Sequence, residues 1–157
     1  MSRRRRVRHK IEVKDPRYDS VLVAKFVNTV MGAGKKSLAE RIVYAAIERA
    51  NDGSDNVDPL EILTRSVENS KPRVEVKSRR VGGATYQVPL EVTGSRQESL
   101  AIRWLVNFAR ARRGTPMHVA LSNEIRDAAS NSGSAVRRRD EMHKMAQANR
   151  AFAHFRW

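Results

Sequence analysis

The sequence predicts a mainly α-helical fold of about six helices carrying one extended, protruding β-hairpin. Two observations predict it. Apolar residues recur at i, i+3 and i+4 along most of the chain, and the period switches to strict alternation only over residues 73–92, around a Gly-Gly pair. A third observation, 157 residues with 40% hydrophobic side chains, suits one modest core.

The elements follow in order. Val21, Leu22, Val23, Phe26, Val27 and Val30 mark a helix from about Ser20 to Met31, stopped by Gly32 and Gly34. Lys36–Asn51 follows, with Leu38, Ile42, Val43, Ala46 and Ile47 as its stripe, and a polar turn spans Asn51–Asn56. Asp58-Pro59 reads as an N-cap with proline at the first helical position, opening a helix that Pro72 ends.

In the hairpin, a two-residue Gly82-Gly83 loop would set Val76 opposite Pro89 and Val74 opposite Glu91. Apolar would meet polar along the ribbon, so a three-residue loop or a bulge is expected. Ser95 and Glu98 form a capping-box pattern for a long helix to about Arg113, with Ala101, Trp104, Leu105 and Phe108 buried. Thr115-Pro116 signals the next helix, through Ala120, Leu121, Ile125 and Ala128. A turn over Ser130–Ser134 precedes a last helix, Arg138–Asn149, with Met142, Met145 and Ala146 inward. A basic arm (1–14) and a single domain (15–157), ending in a basic aromatic tail, complete the organisation.

Charge carries the functional signal. Lys+Arg number 31 against 17 Asp+Glu, for a net charge of +14, and there is no cysteine. The balance points to a polyanionic partner. Absence of cysteine removes disulfides and thiolate metal sites and fits a reducing compartment, the cytoplasm. No apolar run approaches the ~20 residues that span a bilayer, so no membrane role is expected. The charge is uneven. Residues 38–69 hold three basic and seven acidic side chains, a balance of −4. The surplus lies elsewhere: on the arm (Arg3, Arg4, Arg5, Arg6, Arg8, Lys10), on and around the hairpin (Lys71, Arg73, Lys77, Arg79, Arg80), on the long helix (Arg96, Arg103, Arg110, Arg112, Arg113) and on the last helix (Arg137, Arg138, Arg139). The arm repels itself and has nothing to bury, so it reads as disordered.

Gly32-Ala-Gly-Lys-Lys-Ser37 superficially resembles a phosphate loop but fails its spacing, and it follows a helix instead of a strand. The better reading is a turn in which Gly34, Lys35 and Lys36, near a helix N-terminus, meet a phosphate. The four histidines show no metal-ligand spacing, and no serine sits on a glycine elbow, so no cofactor, metal or enzyme activity is expected. Arg96, Arg103 and Arg110 recur every seven residues, drifting by roughly 20° per step along one line. Such a line is either a solvated face or a phosphate contact, and the lack of i, i+4 acids beside Arg103 and Arg110 favours the second. Phe152, Phe155 and Trp157 are either core anchors or base-stacking platforms. Cations spread over several elements suit a folded RNA better than one duplex groove. A basic DNA-binding regulator or architectural protein is the alternative.

Lys71-Pro-Arg-Val-Glu-Val-Lys-Ser-Arg-Arg-Val-Gly-Gly-Ala-Thr-Tyr-Gln-Val-Pro-Leu-Glu-Val92 resembles the hairpin signature of the bacterial-type small-subunit ribosomal protein S-seven family. Phe26-Val27 with Gly34-Lys35-Lys36 and Ile42-Val43, Leu100-Ala-Ile-Arg-Trp-Leu105, and Met145-Ala-Gln-Ala-Asn-Arg-Ala-Phe-Ala-His-Phe-Arg-Trp157 resemble three further parts of that family. The resemblance implies binding to the 3′ major domain of small-subunit rRNA, nucleation of head assembly, and a place near the exit tRNA site and the messenger exit path. It assigns Arg79, Arg80, Gly82, Gly83 and Tyr86 of the ribbon, and Gln147 and Arg150 of the tail, to the exit-site side. Gly34, Lys35, Lys36, Arg96, Arg103 and Arg110 fall to the rRNA side. Neighbouring head and platform ribosomal proteins are the implied protein partners.

Overall fold

A computed structural model describes residues 13–52 and 58–155. The expected disorder of the arm at residues 1–12, the turn at Gly53 and the tail residues Arg156 and Trp157 lie outside the described residues. Within them the chain forms α1 (Val21–Val30), α2 (Lys36–Asn51), α3 (Pro59–Ser70), β1 (Val74–Val81), β2 (Ala84–Glu91), α4 (Gly94–Ala111), α5 (Met117–Ala129) and α6 (Gly133–Ala148). A 3-10 helix, Arg150–Phe155, follows. The mainly helical fold with one antiparallel hairpin is as the periodicities indicate.

The core draws on all six helices and on no strand residue. α5 is its middle, packed against α2, α3, α4 and α6. Ala120, Leu121, Ile125 and Ala128 of α5 are fully covered. Small residues along this helix let four neighbours approach closely. The buried stripe of α2 is Ala39, Val43, Ala46, Ile47 and Ala50, phased one residue later than the apolar pattern suggests. Leu38 is consequently exposed, as is Met145 on α6. On α4 the inward face is Leu100, Ala101, Ile102, Leu105, Val106 and Ala109, which moves Trp104 and Phe108 to the half-buried margin of the core.

Helix starts separate local from tertiary control. Asp58 caps α3 as expected, its Oδ1 accepting the Leu60 N–H at 2.9 Å with Pro59 at the first position. The capping box at α4 does not form. Thr93 is the cap residue, and its carbonyl accepts the Arg96 and Gln97 N–H groups at 2.9 Å. Glu98 instead reaches across to Lys25 Nζ of α1 at 3.0 and 3.1 Å, so a tertiary ion pair takes the carboxylate that the box would use. At α5, Pro116 is the cap residue rather than the first helical residue. α6 begins at Gly133, five residues before the expected Arg138. The cause is Glu124 of α5, whose Oε1 accepts the Ala135 N–H at 2.9 Å and caps the helix from across the turn.

The ribbon corrects the register expectation. Pairing is regular, with Val76 opposite Pro89, Val74 opposite Glu91 and Val81 opposite Ala84. Gly82 and Gly83 both take positive φ (56° and 92°), as a two-residue type I′ turn requires. Apolar side chains on β2 need no apolar partner on β1 because they are covered from elsewhere. Tyr86, Val88 and Leu90 share one face by alternation. β2 packs against the 3-10 helix and α6, and Val88 is buried. The tail coils into that 3-10 helix. Its period of three places Phe152 and Phe155 on one side, where both rings meet Tyr86, with centroids at 5.2 and 4.9 Å.

Candidate nucleic-acid interface

The candidate cations separate into two groups once side-chain partners are traced. Several are structural. Arg112 donates to Glu124 Oε2 at 2.7 Å and to Asp127 Oδ2 at 3.1 Å. Glu124 is fully buried, and the hydrogen bond to it is the main reason the Arg112 pKa is raised. Arg96 grips Glu75 with three hydrogen bonds of 2.8–3.0 Å, tying the first turn of α4 to the root of the ribbon and raising its own pKa. Arg110 donates to the carbonyls of Thr29 and Val30, the unsatisfied end of α1. Arg139 donates to the Asn69 carbonyl at the end of α3 and pairs with Asp140.

Arg126, which sequence reasoning did not select, completes this pattern by donating to the Arg49 carbonyl of α2 at 2.7 Å. Three helices thus end on an arginine from a distant element, a pairing favoured by both hydrogen bonding and the helix dipole. Weaker surface pairs join Lys36 to Glu40 at 3.7 Å, Arg138 to Glu141 at 3.2 Å, and Lys71 to Glu68.

The second group has no such partner. Lys35, Arg73, Arg80, Arg103, Arg113, Arg137 and Arg150 are exposed, and their side chains form no hydrogen bond or ion pair among the described residues. Arg41, Arg65 and Lys144 belong with them. The first two went unselected because the acidic average of residues 38–69 hides individual exposed cations. The arginine line on α4 is therefore divided: Arg103 is open, while Arg96 and Arg110 are engaged.

At the ribbon tip, Arg79 is held by the Phe155 carbonyl and Tyr86 lies within the aromatic cluster, whereas Arg80 is open. Gly82, Gly83, Gln147 and Gly34 are exposed, the last at φ 75°. Phe152 and Phe155 act as anchors of the tail on the ribbon. Lys77 lies on the ribbon face shared with Val88. At the ribbon root, His143 Nε2 accepts the Arg73 N–H at 2.9 Å. Its pKa is lowered by burial first, then by the nearby Arg139 and Arg73 charges, with Asp140 opposing. Among the described residues no cluster of His, Asp and Glu could hold a metal, and no helix is long and apolar enough to cross a membrane.

A helical scaffold that spends some arginines on its own helix ends and presents others openly from several elements belongs to the class of structural, cation-bearing proteins. The profile of the family described as "Ribosomal protein S7p/S5e" matches residues 2–150. The chain is 71% identical to the small ribosomal subunit protein uS7 of Akkermansia muciniphila over the full length of both. It is 51% identical, again over both full lengths, to the uS7 of Desulfotalea psychrophila, and 58% identical to that of a Mycobacterium species over 92% of each chain. The chain belongs to the S7p/S5e family of ribosomal proteins, and as such it is a structural, non-enzymatic component of the small ribosomal subunit.

Proposed function

We propose that this protein binds the 3′ major domain of small-subunit rRNA, nucleates assembly of the subunit head, and carries its ribbon tip and tail toward the exit tRNA site and the messenger path. It does so in the cytoplasm, beside neighbouring head and platform proteins. The observation that carries this reading is the set of exposed cations, unpaired among the described residues, at Lys35, Arg103, Arg113 and Arg137, distributed over the α1–α2 turn, α4, the α4–α5 turn and α6. Each phosphate neutralised by such a cation releases condensed counterions, and the spread over several elements recognises shape rather than one groove. The arm cations Arg3, Arg4, Arg5, Arg6, Arg8 and Lys10 add to the same grip, as does Arg73 at the ribbon root. Arg80, exposed next to the anchored Arg79, and Arg150, exposed at the groove by the ribbon root, form the exit-site side.

The test is filter binding of the full chain to folded 3′ major-domain rRNA and to duplex DNA across a salt series. We expect RNA preference and a steep decline of log K with log[salt]. Arg103→Ala should reduce the slope by about one. Equal affinity for duplex DNA, or a flat salt dependence, would overturn the reading.

A further inference from the structure

A cavity of about 420 Å3 lies between α4 and the first half of α6, lined by Phe108, Ser134, Arg137, Arg138 and Glu141. Its composition is unusual for this molecule. Phe108 packs against the core on one side and is half-exposed on the other. The groove at the ribbon root has a comparable volume, but the aromatic ring that lines it, His143, is already engaged with the Arg73 N–H. The cleft beside Asp15 is smaller, about 180 Å3, and its Lys36 is already paired with Glu40.

Charge distinguishes the α4–α6 cavity further. Arg138 and Glu141 neutralise one another at 3.2 Å, with Arg138 on Oε2 and no hydrogen bond to Oε1 among the described residues. Arg137 is exposed and unpaired, which leaves one uncompensated positive charge in the lining. The site therefore offers an aromatic face, a free hydrogen-bond acceptor and a free cation within a space at the lower end of the range for small-ligand sites. An unstacked nucleotide has the matching parts: a π-face, edge N–H donors and a phosphate.

We propose that this cavity takes a single unstacked base of the RNA that the protein holds. The base face lies on Phe108, an edge N–H donates to Glu141, and the adjoining phosphate meets Arg137. The inference rests on the RNA-binding reading above and adds a base-specific anchor to an interface otherwise made of phosphate contacts.

The test uses the full chain with folded 3′ major-domain rRNA, and compares wild type with Phe108→Leu, Arg137→Ala and the double variant. Leucine retains apolar cover for the core, so Phe108→Leu should fold. Arg137 is exposed, which keeps the test open even if the first variant fails. Stacking on an aromatic ring supports an expected loss of about tenfold in affinity for Phe108→Leu, with the salt slope unchanged. Arg137→Ala should lower both affinity and slope, and the double variant should lose less than the product of the two single losses. Probing of base Watson–Crick edges should find a nucleotide protected by wild type and reactive with Phe108→Leu. Wild-type affinity and an unchanged protection pattern in both single variants would overturn the pocket alone. Failure of wild type to bind the RNA would overturn the RNA reading and the pocket with it.

Discussion

The corner where α4, α5 and α6 meet and the ribbon with its tail are both rich in arginine, yet they use it in different ways. At the corner, Arg112 enters a site already built around fully buried Glu124, whose second oxygen caps α6 through Ala135. On the ribbon, Arg80 forms no ion pair among the described residues, and Arg73 participates through its backbone N–H rather than its guanidinium. Burial of an acceptor separates the two. A carboxylate withdrawn from water is costly to leave without its donor, whereas a cation such as Arg80 on the exposed strand gains little from a surface partner and stays available.

The largest expected effect tests the corner directly. Arg112→Ala leaves Glu124 buried and missing a donor. We expect a loss of about 2–3 kcal/mol in chemical denaturation, below the figure for a fully buried pair because Arg112 is one-third exposed. Arg80→Ala should leave the same denaturation curve in place. Equal effects of the two substitutions would erase the distinction between the regions.

The next effect sharpens the corner's geometry. Gly133 has φ +86°, and a Cβ there would stand 2.9 Å from the Asp127 Cβ. Gly133→Ala combines a left-handed backbone with this contact and should cost about 2 kcal/mol. A melting temperature equal to wild type would show that the turn adapts.

The smallest effect belongs to the ribbon root. The folded-state pKa of His143 lies below its ordinary 6.5, so the neutral ring contributes stability that is fully present above pH 6.5. As pH falls from there through the lower folded value, the unfolded chain binds the proton first and that stability is lost. Burial is the main cause of the lowered value, and Arg139, Asp140 and Arg73 are the charged groups that modulate it. His143→Gln retains an acceptor for the Arg73 N–H without titrating. Its thermal stability should be flatter than wild type between pH 7 and 5, and parallel profiles would show that His143 does not clasp the ribbon.

Where one segment contains all the partners, the sequence was legible. Asp58 with Pro59 opens α3 because cap and helix are two residues apart, and Gly82-Gly83 marks the turn because both positions need positive φ. The errors share a different cause. Ser95 and Glu98 satisfy the capping-box spacing, but Lys25 competes for Glu98 from a distant helix. The ribbon register looked unfavourable because the cover for Tyr86 comes from Phe152 and Phe155, far along the chain. The candidate interface shows the same limit: Arg103 and Arg110 are indistinguishable by spacing, and only the position of the α1 carbonyls separates them.

By itself the sequence determined the helical class, the hairpin, the cationic surplus and its absence from residues 38–69. Those properties depend on periodicity and composition, which are local or additive. The tertiary structure alone decided which arginines are bound to the protein's own helix ends and which face outward. That decision depends on where buried acceptors lie in space, and hydrogen bonds lengthen or shorten with distance in three dimensions, not with separation along the chain.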